Sequence, residues 1–275
     1  MKVKIFVIFM IIITAKILEP NAKESNSYVN WQEGVVVSMA EASVKLNEEG
    51  EVLYGDSTEK TSIANGRDMA YLKAKELAIE KAFLAIDEIP VDSNTTVGQL
   101  MESDRDIREK IYLYMNDYAK FREMPAGYLK ERCRLELKLG YIIDALNIDF
   151  PEEPFPLRAD RDIATRYTSL IIDTRGLKIK PLLMPSVFQE DGLEIYGKNK
   201  VNGKAAVKNL IISYTHSEAE ALKHKKAGRR PFFCTALKSL NGNPVISKED
   251  VKRIFSHNDN ISYLKKCKVI LIIDR

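Results

Sequence analysis

The sequence predicts an α+β chain of two domains behind an N-terminal leader. The first domain is an alanine-striped helix packed on a small antiparallel sheet. The second is a mixed β-sheet with two helices. Three observations predict this. An apolar run follows a basic start at Met1. A helical stretch with alanines every fourth residue precedes a segment of strict two-residue alternation. A proline-rich stretch then introduces a region where short apolar runs alternate with helix-opening motifs. The length of 275 residues suits one or two domains of roughly 100–200 residues each.

The leader spans residues 1–22. Lys2 and Lys4 precede the apolar run Ile5 to Thr14, and Lys16 and Glu19 end it. A basic start and a short apolar core make a secretory signal peptide. The run is short for a bilayer span, which needs about 18–20 apolar residues. Ala22 is the best residue before a cut, although Pro20 sits where a small residue is wanted. An uncut leader would serve instead as an N-terminal membrane anchor. The cysteines stand at 133, 234 and 267, so lipid attachment through an N-terminal cysteine is not expected.

The first domain is placed at residues 28–148. Trp31 to Val44, rich in valine, reads as a strand. Gly66 to Glu88 is the clearest helix. Leu72, Ile79, Phe83 and Ile86 recur at helical spacing, and Ala70, Ala74, Ala78 and Ala82 form a second stripe. Four alanines on one ridge let a backbone approach a sheet or another helix closely. Pro90 ends the helix. After Thr96 and Val97, a shorter helical unit puts Ile107, Ile111 and Met115 on one face. Tyr118 to Leu139 reads as a hairpin turning at Pro125 to Gly127. In its second arm Cys133, Leu135, Leu137 and Leu139 alternate with Arg132, Arg134, Glu136 and Lys138, apolar in and charged out. Tyr141 to Leu146 adds a short helix. Three prolines between Phe150 and Pro156 mark the domain boundary.

The second domain is placed at residues 160–275. Tyr167 to Thr174 is an apolar strand. Leu182 to Gln189 and Leu193 to Tyr196 flank Asp191 and Gly192, a hairpin signal. Val207 to Tyr214 and Pro231 to Leu240 read as strands. Ser217 with Glu220, and Ser247 with Asp250, open two helices in the manner of capping boxes. Cys267 to Ile273 is apolar on both faces, as a central strand would be. Strands alternating with helices are expected to run parallel.

Charge is nearly balanced, with 42 Lys plus Arg against 39 Asp plus Glu. Nothing here calls for a nucleic-acid partner. Asp173 and Arg175 lie two apart at a strand end and share a face. They are either the polar centre of a site, with Asp274 nearby, or a structural brace. Lys223, Lys225, Lys226, Arg229 and Arg230 form a basic cluster that would meet an anionic surface or simply face solvent at a helix end. His216, His224 and His257 lack metal-ligand spacing, so no metal and no cofactor is expected. Cys234 and Cys267 fall on strands; they would pair in an oxidising compartment or stay as buried thiols.

The first domain resembles the lipoprotein-20-like family of bacterial envelope proteins, whose module also opens the flagellar assembly protein T. The resemblance rests on the strand after Trp31, on Gly66, Arg67 and Asp68 leading into the alanine-striped helix, on Thr96 and Val97, and on the strand Arg134 to Leu139. The second domain is similar to the tail of envelope proteins carrying that module, through Leu170 to Leu177, Glu190 to Gly197 and Val269 to Asp274. The resemblance implies an exported, non-catalytic binding or scaffold protein in a Gram-negative-type envelope. Its partners would be envelope proteins or a cell-wall or membrane surface, and a link to the flagellar apparatus is implied. The alternatives are a periplasmic enzyme with a site near Asp173 and Arg175, and an anionic-surface binder using residues 223–230.

Overall fold

The structure, a computed structural model, describes residues 27–156 and 165–275; the expected leader lies outside them. The first half runs β1 (Ser27–Asn30), β2 (Val35–Ser43), α1 (Ile63–Asp87), α2 (Val97–Ser103), α3 (Arg105–Tyr118), β3 (Lys120–Met124), β4 (Lys130–Lys138) and α4 (Leu139–Ala145). The strands form one antiparallel sheet in the order β1-β2-β4-β3.

Ser62 caps α1 by accepting from the Asn65 amide at 3.2 Å. Of the two stripes on α1, the alanines win the interior. Ala74, Ala78 and Ala82 are fully buried, and Ile86 continues their line. They lie over the inward row of β4, where Cys133, Leu135 and Leu137 are also fully buried. Small side chains bring helix and sheet close, so many weak dispersion contacts replace a few bulky ones. Leu72, expected on the buried face, is half exposed. The spacing of Leu72 belongs to a flank of the helix, rotated away from the ridge that meets the sheet. Thr96 opens α2 with a complete capping box to Gln99, and α3 buries Ile107, Ile111 and Met115 as expected.

The second half runs β5 (Ser169–Asp173), β6 (Val187–Gln189), β7 (Glu194–Tyr196), α5 (Gly203–Asn209), β8 (Ser213–Thr215), α6 (Glu218–Lys223), β9 (Pro231–Thr235), β10 (Lys238–Leu240), β11 (Asn243–Ile246), α7 (Lys248–Ile254), α8 (Asn258–Lys265) and β12 (Val269–Ile272). It holds two sheets rather than one. β8-β12-β5-β9 is parallel throughout, with β12 internal. β10-β11-β6-β7 is mixed.

Three expectations need correction. Residues 203–209 are helical, so Val207 belongs to α5 and the strand starts only at Ser213; Asn202 caps that helix by accepting from the Ala205 amide. The run Pro231 to Leu240 breaks between β9 and β10, which serve different sheets. Among the described residues four α-helices, not two, accompany the sheets. The unforeseen α8 is capped by the His257 side chain, which accepts from the Asp259 amide at 3.0 Å.

The two halves share one continuous core. Leu183 and Met184 donate their amides to the Pro90 and Val91 carbonyls, at 3.0 and 2.8 Å. Trp31 meets Tyr214 edge to face at 5.7 Å. Gly140 of α4 sits so close to α5 that a Cβ there would lie 2.0 Å from the Val207 carbonyl oxygen. The proline stretch is docked rather than loose. The Glu153 amide donates to Asn199 O at 2.7 Å, Asn202 reaches Glu152, and Phe155 packs on Phe255.

Candidate functional site

Asp173 ends β5, and the chain turns at Gly176, whose positive φ of 84° suits glycine. Arg175 folds back on Asp173. Its Nε donates to Oδ1 at 2.9 Å, its Nη2 to Oδ2, and its own amide to Oδ1 at 3.1 Å. The guanidinium holds the Asp173 carboxyl below the usual carboxylate range, against the effect of burial. Asp274, just beyond β12, accepts from the Gly176 and Lys178 amides. His216, just beyond β8, places Nδ1 3.0 Å from the Asp274 carbonyl oxygen and donates its amide to Glu220. Thr174 donates its hydroxyl to Ile272 O at 2.8 Å.

Asp173, Arg175 and Asp274 are therefore brought together at the carboxyl ends of the parallel strands, where open α/β sheets commonly hold ligands. Their bonding capacity is turned inward. Both Asp173 and Asp274 accept from this loop, and the bonds tie β5, β8 and β12 at one end, while the outer edge of the Arg175 guanidinium faces solvent.

The basic cluster divides. Lys223, Lys225, Arg229 and Arg230 are exposed. Lys226 is 4% exposed and donates Nζ to the Leu210 carbonyl at 3.0 Å. Burial lowers its ammonium to about 7, with Lys225 adding repulsion and Cys267 opposing the shift. Lys226 is therefore withdrawn from the surface patch expected of it. Its neighbour His224 is half-buried, and burial with the Lys226 and Lys225 charges lowers its imidazole to about 4. The segment is stapled to the start of β5: Thr168 and Ser169 both donate hydroxyls to Ala227 O, at 2.7 and 2.6 Å.

All three cysteines are free and buried. Burial pushes the Cys234 thiol far up and the Cys267 thiol to about 11, so neither supplies a thiolate at neutral pH. Among the described residues, no three His, Cys, Asp or Glu side chains gather as metal ligands. No described helix is long and apolar enough to cross a membrane.

Two surface features were not anticipated from the sequence. A cleft of about 600 Å³ opens between α1 and α3, beside Phe83, Asp87, Arg108, Tyr112 and Leu113. Another, of about 620 Å³, lies where the halves meet, beside Lys110, Asp144, Phe150 and Lys208. The signal for the first was present: Tyr112 and Leu113 fall outside the buried stripe of α3. The second depends on a contact between halves that no local pattern encodes.

A search of curated proteins finds no match to the chain. Residues 169–275 match the family model for the second domain of Treponema pallidum Tp0624, so the second half, from the first residue of β5 onward, is similar to a bacterial domain of that type.

Proposed function

We propose that the protein is an exported, non-catalytic binding or scaffold component of a bacterial cell envelope, with a first half of the lipoprotein-20-like kind. The observation that carries the reading is the brace at residues 173–176. The acidic and basic groups best placed for chemistry are bonded to one another and to strand ends. That arrangement supports a structural role for Asp173 and Arg175 over a catalytic one. The signal-peptide pattern of residues 1–22 supports export. The match of residues 169–275 to a Treponema pallidum domain supports a bacterial setting. The resemblance of the first half names envelope assemblies, the flagellar apparatus among them, as the class of partner.

Fractionation of the native cell with crosslinking mass spectrometry tests this. The chain is expected in the envelope or periplasmic fraction, crosslinked to envelope proteins. Recovery in the cytoplasm without such crosslinks would sink the reading. Asp173→Asn separates brace from catalyst: a lowered melting temperature with unchanged crosslinks supports the brace.

A second reading is favoured by the exposure of Lys223, Lys225, Arg229 and Arg230 on one short segment. It assigns this segment to an anionic lipid or cell-wall surface. Salt-sensitive retention on such a surface should fall when these four become Ser, with Lys226 left in place. Unchanged retention removes it.

A further inference from the structure

A cavity of about 150 Å³ lies where the halves meet, between the turn joining β1 to β2, the end of β4 and the segment that leads from α5 into β8. Ser213, the first residue of β8, lies deepest in its lining. It is 6% exposed, and its hydroxyl has no hydrogen-bond partner among the described residues. A hydroxyl so buried is costly to leave unmet, and the cavity is the one side from which a partner can reach it.

The rest of the lining is rich in donors. The Lys226 amide donates to His224 Nδ1 at 3.2 Å, so the proton of the neutral ring sits on Nε2 and is free to be donated. Lys138, Lys208 and Lys225 are exposed and stand at the mouth. Among the described residues none of these three lysines is held in an ion pair. Glu33 is the one acid in the lining, and it pairs with none of them. Three ammonium groups around one mouth repel one another, and a single carboxylate offsets them only in part.

The shape of the donor set narrows the ligand. Lys138 comes from the first half, at the end of β4, while Lys208 comes from α5 and Lys225 from the segment after α6. The donors therefore converge from several sides rather than as one planar fork. A planar carboxylate is best met by a fork such as a guanidinium, whereas a tetrahedral dianion presents oxygens in every direction to separate point charges. The cavity is small, so it holds one such group and not a larger molecule.

We propose that this cavity binds a phosphate group, as the free ion or as the terminal group of a phosphate monoester, with Ser213 and His224 donating from within and Lys138, Lys208 and Lys225 closing the mouth. The site is separate from residues 173–176 and does not depend on the envelope reading. It shares Lys225 with the surface reading of residues 223–230, but it needs Lys138 and Lys208, which stand on other elements.

Titration calorimetry on the purified full chain tests it, with inorganic phosphate and glycerol 3-phosphate as probes in a chloride buffer. At least one probe should bind with a Kd below about 1 mM. Tighter binding of inorganic phosphate identifies the free ion as the ligand, and tighter binding of the ester identifies an esterified group. Because the lining comes from both halves, the bound probe should also raise the melting temperature. The double substitution K138Q with K208Q leaves residues 223–230 intact and should weaken binding by more than about tenfold. Ser213→Ala removes only a hydroxyl and should weaken it about fivefold. The melting temperature of each variant without probe shows that it folds. Failure of both probes to bind at about 10 mM would overturn the proposal. Unchanged affinity in either folded variant would overturn it too. So would loss of binding on replacing Lys223, Arg229 and Arg230 by Ser, since the anion would then rest on the exposed segment and not in the cavity.

Discussion

The two halves cover a sheet in opposite ways. In the first, α1 meets β2 and β4 through Ala74, Ala78 and Ala82, side chains with almost no bulk. In the second, the internal strand β12 presents Val269, Ile270, Leu271 and Ile272, all fully buried. One contact is tight because its side chains are small. The other is filled because its side chains are large. The first should suffer from added volume and the second from volume removed.

Leu271→Ala should break the second arrangement most. It leaves a cavity on the face of the sheet that joins the shared core and should cost roughly 2–5 kcal/mol in denaturant unfolding. Ala78→Leu should break the first by pushing α1 off the sheet, at roughly 1–3 kcal/mol. If Ala78→Leu proves neutral, the contact is looser than the alanine ridge implies.

Lys226 sharpens the comparison, because among the described residues only the second half buries an ammonium with no carboxylate beside it. Its folded pKa of about 7 lies below the ordinary value of 10.5. Between those values the unfolded chain binds more protons, so stability should rise as pH increases through that window. Lys226→Met should flatten the rise, measured as the unfolding midpoint from pH 7 to 9. A slope equal in both proteins would show that this lysine stays charged and hydrated.

The smallest expected effect has the opposite sign. Ser38 of β2 is fully buried, and its hydroxyl has no hydrogen-bond partner. Ser38→Ala should raise stability by up to about 1 kcal/mol, since an unsatisfied hydroxyl is removed with little loss of volume.

The same contrast explains what the sequence disclosed. Strict alternation in β4 and the repeat of alanines in α1 are local, periodic signals, and both elements are where the pattern places them. The second half is less legible where its elements are short. At Val207 an apolar spacing fits strand and helix alike, and the Asn202 cap decides for α5. His257 opens α8 without any of the usual cap residues, so no motif announced it. For the candidate site, the pairing of Asp173 with Arg175 follows from their spacing. The arrival of Asp274 and His216 does not, because it depends on β8 and β12 lying beside β5. The burial of Lys226 was equally hidden, since its carbonyl partner at Leu210 is 16 residues away.

The place of β12 has a consequence for the order in which the molecule can be built. It is the last strand of its sheet along the chain, yet it lies between β8 and β5. Until it emerges from the ribosome, β8 has no neighbour within that sheet, while the strands of the first half already have theirs. The first half can therefore close early. The second must hold its apolar strands uncovered until its final strand arrives, and that interval is when it is most exposed to aggregation and to chaperones.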